Sequence, residues 1–161
     1  MKRILPVVTC LALSLGAIVL SAPSASAAMP KDRTVYFELK SRQSIDLGQP
    51  GPSAGDLSVA SGEVTNSRGG KVIGTYDLSQ VVVGMRGAGG RESRSMSMQI
   101  AFPQGKIEIM STYSAPAGVP VSQTVTHAIV GGTGIYAGWG GSVRITALDA
   151  DTFRVRIDFV K

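Results

Sequence analysis

From residue 34 onward, apolar and polar residues alternate with a period of two, and no stretch of ten residues carries a helical period. Val35, Phe37 and Leu39 alternate with Thr34, Tyr36, Glu38 and Lys40. Leu57 and Val59 open a second run, continued on their parity by Ser61 and Glu63. A third places Val72, Gly74, Tyr76, Leu78, Gln80 and Val82 on one side. Met96, Met98, Ile100 and Phe102 form a fourth, and Ile107, Ile109, Ser111 and Tyr113 a fifth. Val125, His127 and Ile129 share a face, as do Val143 and Ile145, then Phe153, Val155, Ile157 and Phe159. Eight strands are therefore expected.

Turn residues punctuate them. Arg68-Gly69-Gly70, Pro103-Gln104-Gly105 and Asp149-Ala150-Asp151 read as tight reversals. Two longer connections are expected, Asp46 to Gly55 and Gly84 to Glu92. Eight short strands joined in this way suggest a sandwich or a closed barrel. Closure removes the exposed edges and leaves room inside for about one small ligand. The predicted fold class is all-β, an eight-stranded antiparallel closed barrel in a single domain over residues 28–161.

The first 27 residues stand apart. Lys2 and Arg3 precede an apolar run from Ile4 to Leu20, and Ala25-Ser26-Ala27 fits a small-residue cleavage site. This is the pattern of a secretory signal peptide. Cys10, the single cysteine, leaves with it, so the mature chain of 134 residues has no disulfide and is expected to be secreted. With one Cys and one His, no multi-Cys or multi-His metal site is available, and none is expected. The mature chain has 14 basic and 11 acidic residues. That mild excess is scattered apart from Arg86, Arg91 and Arg94, which read as a solvated basic loop. No nucleic-acid partner is expected, nor a membrane once the signal is removed.

Two motif matches fail on context. Gly51-Pro52-Ser53-Ala54-Gly55 fits G-x-S-x-G, but a nucleophile elbow needs a strand before it and a helix after it. Ser53, Asp77 and His127 stand in hydrolase order without the sheet that order serves. Gly132 to Ala137 fits G-x-G-x-x-A, but a strand follows where a dinucleotide site needs a helix.

The same glycine segment, Ala128-Ile129-Val130-Gly131-Gly132-Thr133-Gly134-Ile135-Tyr136-Ala137-Gly138-Trp139-Gly140, resembles the "VGGTG" segment of plant dirigent proteins and the "VTGGSGIFEGAYG" segment of allene oxide cyclases. Gly105 to Ile109, Ser142 to Ile145 and Phe153 to Phe159 resemble the flanking strands, and Gly55-Asp56-Leu57 a "GD" strand start. The resemblance covers most of the mature chain. It implies an eight-stranded antiparallel barrel, commonly a homotrimer, that needs no cofactor. Allene oxide cyclases hold a catalytic water with Pro, Ser and Asn, with a Glu and a Cys nearby. Here the stretch reads Leu57-Ser58-Val59-Ala60-Ser61-Gly62, without the Pro and Asn, and the mature chain has no Cys. Dirigent proteins steer phenoxy radicals with pocket Asp, Arg and Tyr residues, and Asp56 aligns with one of them.

Strand parity supplies the expected interior. Its polar members are Ser61, Glu63, Tyr76, Gln80, Ser111, Tyr113 and His127. Glu63 and His127 are candidate general acid and base, because burial would move both toward neutrality. Ser61, Tyr76, Ser111, Tyr113, Met96 and Met98 are candidate ligand contacts. Gly131, Gly132 and Gly134 are expected to take positive φ at a barrel end, with Ile135 and Tyr136 folding under as a plug. Gly138 and Gly140 let Trp139 pack closely. The expected function is to hold a small apolar or phenolic molecule and steer its cyclisation or coupling. A carrier or structural barrel without turnover is the alternative.

Overall fold

The computed structural model describes residues 29–86, 90–118 and 123–161. The segment expected to be a signal peptide lies outside them. Eight strands close in chain order, each pairing antiparallel with the next and β8 returning to β1. They are β1 Arg33–Ile45, β2 Leu57–Thr65, β3 Val72–Arg86, β4 Arg91–Phe102, β5 Gly105–Pro116, β6 Val125–Gly132, β7 Gly140–Ala147 and β8 Thr152–Val160. The barrel type and strand count match the sequence expectation. The connection placed at Gly84 to Glu92 is much shorter, because β3 and β4 run on to pair Arg86 with Arg91.

One end of the barrel is solid. Ile100, Ile107, Ile109, Val143, Val155 and Ile157 are all fully buried there. Each side chain of this size contributes about 2 kcal/mol when removed from water. Beneath them a short 3-10 turn, Gly134–Tyr136, closes the floor. Tyr136 stacks on Phe159 with centroids 5.6 Å apart and leans on Phe102 at 5.9 Å. Arg33 lies over the Phe102 ring at 3.6 Å and donates to the Tyr136 hydroxyl. Ile135, expected in the plug beside Tyr136, points outward and is 41% exposed.

The face of β2 is the main correction. Phe37 pairs with Val64, and Tyr76 pairs with Gly62. The inward residues are therefore Ala60, Gly62 and Val64, whereas Ser61 and Glu63 point out. Size explains the reversal. Tyr76 stacks on Phe37 at 4.3 Å, and a Cβ on Gly62 would lie 2.7 Å from the Tyr76 ring. Two large rings from β1 and β3 require small residues between them. Leu39 and Ser41 flank a register shift in β1, and a second shift falls between Val64 and Thr65.

Candidate functional site

The other end is hollow. A cavity of about 430 Å³ opens where β1, β3 and β5 finish and β2, β4 and β6 begin. Its apolar wall includes Phe37, Leu78, Met96, Met98, Ile145 and Phe153. Tyr76 and Tyr113 add hydroxyls, and Gln80 an amide. A volume of this order holds one drug-sized molecule.

A polar cluster occupies one side of the mouth. Arg94 and Glu92 form a buried ion pair, with side chains 7% and 3% exposed. Arg94 also donates to the Pro116 carbonyl at 3.3 Å. It faces Tyr113 across the β4–β5 ladder, and its charge acts on the phenol. The Tyr113 hydroxyl donates to Gln80 Oε1 at 2.7 Å. Burial raises the Tyr113 pKa against the opposing charge of Arg94. Burial likewise pushes Tyr76 up to about 12. Both phenols are therefore neutral donors at physiological pH. Arg94, read from sequence as part of a solvated loop, lines the cavity instead, because β4 begins earlier than its glycine-rich flank suggests.

The connection from Asp46 to Asp56 spans the mouth. Asp56 accepts hydrogen bonds from the Leu47 N–H, the Ser53 N–H and the Ser53 hydroxyl, which lower its pKa. Asp46 accepts from the Gly51 N–H at 3.0 Å. Pro52 reaches the β5–β6 connection, where a Cβ on Gly118 would lie 2.8 Å from it. Those two connections stand on opposite rims of an eight-stranded ring. The G-x-S-x-G residues thus form part of a pinned loop over the cup, and Ser53 is committed to Asp56.

Tyr76, Tyr113, Met96 and Met98 line the cavity as expected, whereas Ser61 and Ser111 do not. Ser61 sits in a shallow outer hollow with Asp77, Ser79 and Ser97. Glu63 forms an ion pair with Lys40 at 3.0 Å, its side chain 38% exposed. His127 faces inward from β6, four strands around the ring from β2. The Glu63–His127 acid–base pair therefore does not form: the two lie on opposite walls, and Glu63 is outside.

His127 instead bonds Ser111 through Nδ1 at 2.6 Å and meets the Tyr113 ring edge-on at 5.5 Å. The β5–β6 ladder is registered only from Ile107 to Met110. The Ser111–His127 bond ties the strands together just above that point, which makes it a clasp behind the cavity wall. Burial lowers the His127 pKa to about 4. The unfolded chain takes up this proton near 6.5, whereas the folded chain resists until about 4. Stability is therefore fully present above 6.5 and falls as pH drops toward 4, by up to about 3 kcal/mol. NMR titration of this single histidine should give a clearly lowered value, and His127→Gln should flatten the stability slope across that window. A titration near 6.5 would contradict the clasp.

The glycine segment forms the floor, although two of its three expected positive φ values are absent. Gly134 and Gly138 take φ of 62° and 75°, while Gly131 and Gly132 do not enter that region. Gly132 is required by close approach: a Cβ there would lie 2.6 Å from the Lys106 carbonyl oxygen and 2.8 Å from Tyr136 Cβ. Trp139 packs as expected and is 8% exposed, while a Cβ on Gly140 would meet only ordinary contacts.

The sequence matches no known family model and no curated protein. Solved structures do resemble the fold. A pyocyanin demethylase superposes with a TM-score of 0.68 at 20% identity, over 81% of this chain and 100% of that one. A Diels–Alderase from Streptomyces koyangensis gives 0.66 at 16%, over 80% of this chain and 62% of that one. A pterocarpan synthase dirigent protein gives 0.59 at 14%, over 89% and 97%. At such identities the likeness is one of architecture. The chain has the eight-stranded barrel fold shared by dirigent proteins and cyclases of this kind.

Proposed function

We propose that this protein is an exported small-molecule barrel that holds one apolar or phenolic ligand in its cup and steers that ligand's cyclisation or coupling. The observation that carries the reading is the cavity itself, apolar on most of its wall and polar at one side of its mouth. Such a cup acts by orientation and exclusion of water, without covalent chemistry. Structures of similar fold include Diels–Alderases and a dirigent protein, which supports steering as the activity class. A carrier without turnover is the second reading. It is favoured by the position of Glu63, which leaves His127 without the carboxylate that acid–base chemistry would use.

The mature protein, as the homotrimer the resemblance implies, would begin at Ala28. Mass spectrometry of protein from culture supernatant reads both points of interest. The expected result is an N-terminus within two residues of Ala28 and a co-purified apolar or phenolic molecule. Protein retained in membranes with Met1 would overturn export. An empty cup that also fails to take up a panel of apolar phenols would overturn ligand binding. Conversion of the bound molecule to one stereoisomer separates steering from carriage.

A further inference from the structure

The hydrogen bonds at the mouth have a fixed direction. The Arg94 cation faces Tyr113 from the neighbouring strand and repels the hydroxyl proton. The Tyr113 proton then goes to Gln80 Oε1, at 2.7 Å. With its oxygen occupied, Gln80 turns its NH₂ group away from Tyr113. Among the described residues that nitrogen has no protein partner, and Gln80 lines the cavity. The cup therefore holds an oriented amide donor above apolar side chains, with Met96 directly opposite Gln80 on β4.

The charge balance narrows what this donor can meet. The charged residues lining the cavity are two cations, Arg42 and Arg94, and three carboxylates, Asp46, Asp56 and Glu92, with Arg94 paired to Glu92 inside the wall. A ligand anion would lose its hydration and gain no net positive partner. A neutral ligand with no acceptor would leave the amide unsatisfied. We propose that Gln80 is a specificity-determining residue that donates to a carbonyl-type oxygen on an uncharged, otherwise apolar ligand. This rests on the reading of the barrel as a ligand-binding cup. Tyr113 is a positioning residue in the same arrangement, since it orients the amide from behind.

Three matched probes test it with the mature wild-type protein: 2-acetylnaphthalene, 2-isopropenylnaphthalene and 2-naphthoate. They share a skeleton and differ in a carbonyl, an isosteric alkene and a carboxylate. The ketone is expected to bind about five- to tenfold more tightly than the alkene, and the carboxylate more weakly than the ketone. The Gln80 side-chain amide signals should shift with the ketone and not with the alkene. Gln80→Leu should remove the preference while alkene binding persists, and the wild-type amide shifts give a readout even if that variant folds poorly. Equal binding of ketone and alkene would overturn the role of Gln80 and leave the cup intact. Tightest binding by naphthoate would overturn the uncharged-ligand inference and make the mouth an anion receptor. No binding by any probe would overturn both this inference and the cup.

Discussion

Arg94→Met is expected to destabilise the protein by about 3–5 kcal/mol, because it leaves the Glu92 carboxylate buried without its counter-charge. Glu92→Leu should cost a similar amount by stranding the guanidinium. The double variant Glu92→Leu/Arg94→Met should cost far less than the sum of the two, since two apolar side chains of fitting volume can replace a buried pair at little loss. Urea denaturation of the three variants closes the cycle. Simple additivity of the two costs would show that the charges do not act as a pair. The prediction bears on function because this pair supports the polar side of the cup. In the double variant the cation facing Tyr113 is gone, and the hydroxyl is free to turn away from Gln80. A stable double variant should therefore bind apolar molecules but discriminate poorly among them.

The architecture was legible because strand alternation and turn residues are local signals. Six of the eight strands present the interior face that their apolar parity indicates, including Tyr113, Met96, Met98 and His127. In β3 a register shift turns the first residue, Val72, outward while Tyr76 to Val82 keep the expected face. In β2 the pattern misleads outright. Leu57 and Val59 suggest one face, but the core needs small residues opposite Phe37 and Tyr76, so Ala60 and Gly62 turn inward. That requirement comes from neighbouring strands and is invisible within β2 itself. The error removed the proposed acid–base pair, since Glu63 shares parity with Leu57. Arg94 and Glu92 were missed for the opposite reason. Charges beside a glycine-rich stretch read as solvated, and only their cross-strand partners reveal a buried pair. Gln80 stood on the correct face, but its role depends on which way Arg94 forces the Tyr113 hydroxyl to point.

Gly132→Val and Gly134→Val are each expected to cost about 3 kcal/mol or more, through different causes. At Gly132 the backbone is ordinary and the obstruction is packing: the Lys106 carbonyl and Tyr136 leave no room for a Cβ. At Gly134 the φ of 62° disfavours any β-branched residue, and its Cβ would also meet the Gln104 carbonyl. Gly131 is the internal control, because a Cβ there meets nothing within 4 Å and its φ is not positive. Gly131→Ala should leave the melting temperature almost unchanged, whereas the two valine variants should lower it by about 10 °C or more, or fail to fold. Gly132→Ala then separates the causes. Alanine tolerates most backbone conformations, so a large loss on adding one methyl at residue 132 can only come from the close approach. If Gly132→Ala proved as harmless as Gly131→Ala, the Tyr136 floor would be packed more loosely than the 2.8 Å approach requires. The glycine motif would then serve chain reversal alone, and the closed end would lose its claim to be the rigid base on which the cup stands.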